Sequence, residues 1–103
     1  MISTAYAGED LPIRISYQAE DGTDTDPDDT DSDGTPDADI TIVDVSDGSE
    51  VISATAMSNT GTGAFEYVWD TEVDANGEGN YRVEVAAEFS SETKITKDSI
   101  TLR

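Results

Sequence analysis

Between Asp29 and Asp39 the chain reads Asp-Thr-Asp-Ser-Asp-Gly-Thr-Pro-Asp-Ala-Asp. Its carboxylates alternate with small residues, and a hard cation such as Ca2+ collects about six to eight oxygens from a curling loop of this kind. The spacing D-x-D-x-D-G-x-x-D fills the first, third, fifth, sixth and ninth positions of a calcium loop, with Gly34 at the sharp turn. The expected ligands are Asp29, Asp31, Asp33 and Asp37, with the Thr35 carbonyl at the seventh position. Ile40 occupies the twelfth position, where a bidentate acid belongs, so Asp39 has to substitute for it. A second set, Asp24, Asp26 and Asp28, has the alternation without the glycine. The competing reading is a solvated loop that gathers Mg2+, Na+ or K+ diffusely.

Other chemistry is thinly represented. The chain has no cysteine and no histidine, which removes thiol nucleophiles, zinc–thiolate sites, the Ser-His-Asp triad and the usual proton shuttle. Neighbouring acids such as Glu9 and Asp10, or Asp28 and Asp29, have the composition of a glycosidase pair. With 24 acids in 103 residues, however, adjacency carries no information, and no enzymatic activity is expected. Phe65, Tyr67 and Trp69 share one face of a strand pattern and could stack on a sugar. Aromatics at that period more often fill a sandwich core, because each buries a large apolar area.

The elements that must carry these residues read as strands. Glu20 to Asp39 holds nine Asp and one Glu, and burying unpaired carboxylates is too costly for a packed element. It is expected to be a long acidic loop inserted in a single domain, residues 1–103. Around it, Leu11, Ile13, Ile15 and Tyr17 alternate with polar residues, the mark of a half-buried strand. Asp39 to Ser46 forms another, with a change of phase between Ile42 and Val43 that predicts a bulge. Glu50 to Met57, Phe65 to Asp70, Tyr81 to Val85 and Thr93 to Leu102 follow, and Ile2 to Tyr6 brings the count to seven. Asn59 to Gly63 is expected to break the chain. No segment has helical periodicity, so the fold class is all-β, a β-sandwich of about seven strands.

Charge narrows the setting. The net charge is −19, and removing the loop's ten acids still leaves fourteen acids against five bases. Lys94 and Lys97 are the only lysines, and Asp outnumbers Glu by 15 to 9. Such a surface repels itself at ordinary ionic strength and is relieved near molar salt, where the screening length is about 3 Å. It resembles the proteins of extreme halophiles. Five dispersed bases give no grip on nucleic-acid phosphates or on an anionic membrane. No apolar run approaches the ~20 residues of a membrane-spanning helix.

Two segments carry a resemblance. Asn59-Thr-Gly-Thr-Gly-Ala-Phe-Glu-Tyr-Val-Trp-Asp70, followed by Gly79-Asn-Tyr-Arg-Val-Glu-Val85, is similar to the second half of bacterial and archaeal immunoglobulin-like modules. Gly8-Glu-Asp-Leu-Pro-Ile-Arg-Ile15 is similar to their opening. The resemblance implies an immunoglobulin-like β-sandwich with a tyrosine-corner residue at Tyr81. The acidic phrase resembles the calcium repeats of thrombospondin type 3 and dockerin-like modules. Small acidic modules without a signal peptide resemble virion structural proteins of tailed viruses of halophilic archaea. That implies a head-decoration, turret or tail component, assembled in the host cytoplasm beside other virion proteins or copies of itself. The alternative is a calcium-binding adhesive or surface-layer module of a larger secreted protein, which requires Met1 to be an addition. The expected docking surface is the least acidic one, Ile2, Ser3, Thr4 and Tyr6 beside Lys94, Lys97 and Arg103, with the acidic loop projecting away from it.

Overall fold

The computed structural model describes residues 4–30, 32 and 34–103. Eight strands follow in order: β1 (Thr4–Ala5), β2 (Asp10–Ser16), β3 (Ala38–Asp44), β4 (Glu50–Ala56), β5 (Ser58–Gly61), β6 (Ala64–Asp70), β7 (Gly79–Phe89) and β8 (Glu92–Leu102). One sheet has the order β1-β8-β7-β3-β4 and the other the order β2-β6-β5. All pairings are antiparallel except β1 with β8. This is the strand order of an immunoglobulin-like sandwich. Of the expected strand from Ile2 to Tyr6, Thr4–Ala5 forms β1, Tyr6 lies past its end, and Ile2 and Ser3 lie outside the described residues.

Alternation along the strands builds the core. Leu11 and Ile13 from β2, with Phe65 and Trp69 from β6, face Ile40 and Ile42 of β3, Tyr81, Val83 and Val85 of β7, and Ile100 and Leu102 of β8. Trp69 meets Tyr81 edge-on at 5.1 Å and donates its indole N–H to the Asp74 carbonyl at 2.8 Å. The Tyr81 hydroxyl donates to the Gly77 carbonyl at 2.8 Å and accepts the Asn76 N–H at 2.9 Å. That is a tyrosine corner, pinning the β6–β7 connection to the start of β7. The expected bulge is present, since β3 slips register against β4 on both sides of Ile42.

Asn59 to Gly61 is not a break. Buried Met57 turns the chain between the sheets, and β5 then pairs with β6. Polar, fully exposed β5 has no apolar face to reveal it. The β7–β8 hairpin is also longer than Tyr81 to Val85 suggests, running to Phe89 and closing on Ser90 and Ser91. Both serines have positive φ, 52° and 67°, the two-residue hairpin geometry that Asn-Gly normally supplies.

Candidate functional site

The acidic loop has two different halves. In the first, Thr25 N–H bonds to the Tyr17 carbonyl and Asp26 accepts the Gly63 N–H at 2.6 Å. Pro27 is buried. Asp28 donates its own N–H to the Glu88 carbonyl, while its carboxylate accepts the N–H groups of Ser90 at 3.2 Å and Ser91 at 2.9 Å. Asp26 and Asp28 are therefore side-chain tethers to two hairpin turns on the sandwich. The segment expected to be a long acidic loop is thus anchored to the sandwich by Pro27 and by these two carboxylates. Ionised acceptors holding backbone N–H groups are the stronger class of hydrogen bond.

Asp28 also explains how two serines tolerate the left-handed hairpin turn. Left-handed backbone at a residue other than glycine costs about 1–3 kcal/mol, and one carboxylate bridging both N–H groups offsets it. Asp28→Ala is expected to destabilise the domain by about 2 kcal/mol. In a Ser90→Asn/Ser91→Gly background the same substitution is expected to cost less than half as much, because Asn-Gly favours the turn unaided. Urea titrations of the four proteins test this; equal losses in both backgrounds would show that Asp28 acts elsewhere.

The second half holds the expected calcium ligands. Asp31 and Asp33 lie outside the described residues. Asp29 accepts the Gly34 N–H at 2.8 Å, so the loop curls back as the motif requires. Asp37 accepts both the N–H and the hydroxyl of Thr30, at 2.7 and 3.1 Å. Thr35 is exposed on the same curl. Asp39 stands on β3, in register with Ala56 and Ala86. Desolvation and then the neighbouring Asp37 charge push the Asp39 carboxyl above the usual carboxylate range. Among the described residues no three acids converge on one point.

One buried carboxylate escapes sequence reasoning altogether. Asp44, at the end of β3, accepts Asn76 Nδ2 at 2.9 Å on one oxygen and the Ser46 N–H and hydroxyl at 3.0 and 2.7 Å on the other. These bonds, Asn76's first, hold its carboxyl below the usual range. The folded value lies below the unfolded one. Its stabilisation is therefore fully present above the unfolded value, about 4, and is lost as pH falls through the folded one. Asp44→Asn is expected to lower the Tm at pH 7, and the gap to the parent should close as pH falls below about 4. A gap independent of pH would overturn the assignment.

Phe65 and Trp69 are buried against the facing sheet and Tyr67 is half-buried, so the three make no sugar platform. A cleft of about 470 Å3 opens instead at the hairpin end, lined by Tyr17, Gln18, Glu20, Phe89, Glu92 and Lys94. The Lys94 ammonium stands 5.9 Å from the Tyr17 ring centroid. The Tyr17 hydroxyl is buried beside the Thr96 side chain, and desolvation pushes it up by more than that contact lowers it.

The expected docking surface is partly assembled. Thr4 and Ala5 pair with Thr101 and Leu102, and Arg103 exchanges backbone bonds with Ala5 and Ala7. Tyr6 is 65% exposed and Ile95 56% exposed. Lys97 reaches Glu84 at 3.5 Å. Ile2 and Ser3 lie outside the described residues. Among the described residues no strand lies beside Thr93 to Ser99, and within them this stretch of β8 is an edge. The acidic loop does not project away from it as expected. Asp28 sits on the β7–β8 turn, and Glu20 shares the cleft with Lys94.

Other edges are blunted in recognised ways. β2 carries Pro12, β4 is bulged and has Ala54 at φ 39°, and β5 has four residues. β8 has no bulge and no proline along its whole pairing with β7. Set against family models, curated proteins and solved structures, the chain matches none of them.

Proposed function

We propose that the protein is a non-enzymatic structural interaction module that docks through the open edge of β8, working in a salt-rich medium as a component of a virus particle. The observation that carries this reading is the run from Thr93 to Ser99, which has no strand beside it among the described residues and holds both lysines of a −19 chain. An edge of this kind offers a row of backbone N–H and C=O groups for strand addition, and only here do lysines replace carboxylates. Head decoration, turret and tail positions all call for a small rigid module that binds neighbouring subunits. Copies of itself or other virion proteins are the partners, and neither nucleic acid nor membrane is engaged. The test is amide exchange on particles from a halophilic host culture. The chain should sediment with them, and Ile95 and Lys97 amides should be slower to exchange than in the free protein. Absence from the particles, or unchanged exchange along β8, overturns the reading.

A second reading, a calcium-binding adhesive or surface-layer module outside the cell, is favoured by the curl that returns Gly34 to Asp29. Asp29, Asp31, Asp33, Asp37 and the Thr35 carbonyl would then hold Ca2+, with Asp39 beside them. Calorimetry with Ca2+ at moderate salt should give heat in the parent and none in Asp31→Asn/Asp33→Asn, with the fold intact. No heat in the parent, or equal heat in both, makes the loop a collector of hydrated Mg2+, Na+ and K+.

A further inference from the structure

We propose that two copies of the chain pair through β8, antiparallel, about a two-fold axis at Thr96, making one continuous sheet. This rests on the docking reading above and names its partner as a second copy.

The backbone sets the terms. β7 and β8 pair without a slip from Gly79↔Leu102 to Phe89↔Glu92, so strand alternation holds along all of β8. Arg103 gives its N–H and C=O to the β1 side. Counting back by twos, Thr93, Ile95, Lys97 and Ser99 turn their backbone groups to the open edge, while Lys94, Thr96 and Asp98 bond to β7. Two edges meeting across a two-fold must also match faces. Thr96 and Asp98 are half-buried on the core side, and Ile95, Lys97 and Ser99 are exposed.

Side-chain chemistry then selects the register. With Thr96 at the axis, Thr93 faces Ser99, Lys94 faces Asp98, and Ile95 faces Lys97. Each relation occurs twice, and the outward groups of Thr93, Ile95, Lys97 and Ser99 all find partners. The Lys94–Asp98 contacts are opposite charges directly across, and neither residue has an ion-pair partner among the described residues. Thr–Thr and Thr–Ser contacts are favourable cross-strand pairs, and the Lys97 stem covers Ile95. Neighbouring registers fail on charge. An axis at Lys94, Lys97 or Asp98 sets like charges against themselves, and one at Ile95 sets Glu92 against Asp98. Lysines that deter promiscuous edge pairing thus favour the two-fold at Thr96 over its neighbours.

Directly opposed residues that do not exchange hydrogen bonds have Cα atoms about 4.5 Å apart, within disulfide reach. The chain has no cysteine of its own. Thr96→Cys is therefore expected to form a covalent dimer under mild oxidation, and Ile95→Cys and Lys97→Cys are not. Sedimentation at the lowest salt that keeps the fold should show a dimer, weakened roughly tenfold or more by Asp98→Lys. Lys94→Asp/Asp98→Lys should restore it to within about threefold. Ile95→Pro removes an outward N–H and no bond to β7, so it should give a folded monomer. A monomeric parent, or preferential cross-linking at 95 or 97, overturns the two-fold at Thr96. If association survives Ile95→Pro unchanged, the docking reading falls with it. If Ile95→Pro abolishes association that Thr96→Cys cannot trap, only the register proposed here fails.

Discussion

Raising the salt from about 0.05 M to about 2 M is expected to raise the Tm of this domain by 20 °C or more. The chain carries −19 within extents of 38 × 24 × 19 Å. At about 0.01 M the screening length is ~30 Å, so nearly every carboxylate feels the others; at about 1 M it is ~3 Å and only contacts remain. Little inside the described structure compensates. Its ion pairs are Arg14–Glu66, Arg82–Glu84 and Lys97–Glu84, which engage two acids of the 24. A domain of this size has about 5–15 kcal/mol in hand, and each kcal/mol moves the midpoint by about 4–8 °C. Repulsion of a few kcal/mol is therefore visible as the stated shift. Circular dichroism melts in KCl against melts in sucrose separate screening from simple exclusion of cosolute from the surface. Exposed Glu20, Glu72 and Glu78 changed together to Gln should flatten the salt curve. A midpoint that does not move in KCl, or moves equally in sucrose, removes the salt-adapted setting.

The same physics decides what was legible in the sequence. Strands with one wet and one dry face announce themselves: Leu11 and Ile13, Phe65 and Trp69, and Tyr81, Val83 and Val85 are buried as their alternation requires. The phase change at Ile42 became a bulge, because Val43 and Asp44 are both buried beyond it. β5 was invisible because Ser58-Asn-Thr-Gly61 buries nothing and is held by backbone pairing and by the Asn59 amide on the Ala64 carbonyl. The tethers were invisible for a related reason. Asp26 and Asp28 look like their neighbours in a run of acids, and only the fold brings the N–H groups of Gly63, Ser90 and Ser91 to them. Asp44 depends likewise on Asn76, 32 positions away. In a chain this rich in carboxylates, composition hides which few are structural.

Gly63→Ala is expected to be the most damaging single substitution at the loop, costing about 3–5 kcal/mol. Gly63 is buried, with φ 69°, and a Cβ there would stand 2.6 Å from both the Thr25 and the Tyr17 carbonyl oxygens. Those oxygens belong to backbone and cannot rotate away. The same residue accepts the Tyr17 N–H at 2.8 Å and donates to Asp26 at 2.6 Å. One methyl therefore pushes apart the end of β2, the start of the acidic loop and the β5–β6 turn together. Gly48→Ala is the control: its φ is 75°, but nothing lies within 4 Å of the added Cβ. It should cost about 1 kcal/mol, the backbone share alone. Urea titrations in molar KCl, where both variants have the best prospect of folding, give the two losses. Amide exchange at Thr25 and Ser91 separates the cause, because only Gly63→Ala should release the Asp26 and Asp28 tethers. Equal losses in the two variants would mean that the loop is not seated on the sandwich at Gly63, and the acidic segment would then be the free solvated spacer that its composition suggests.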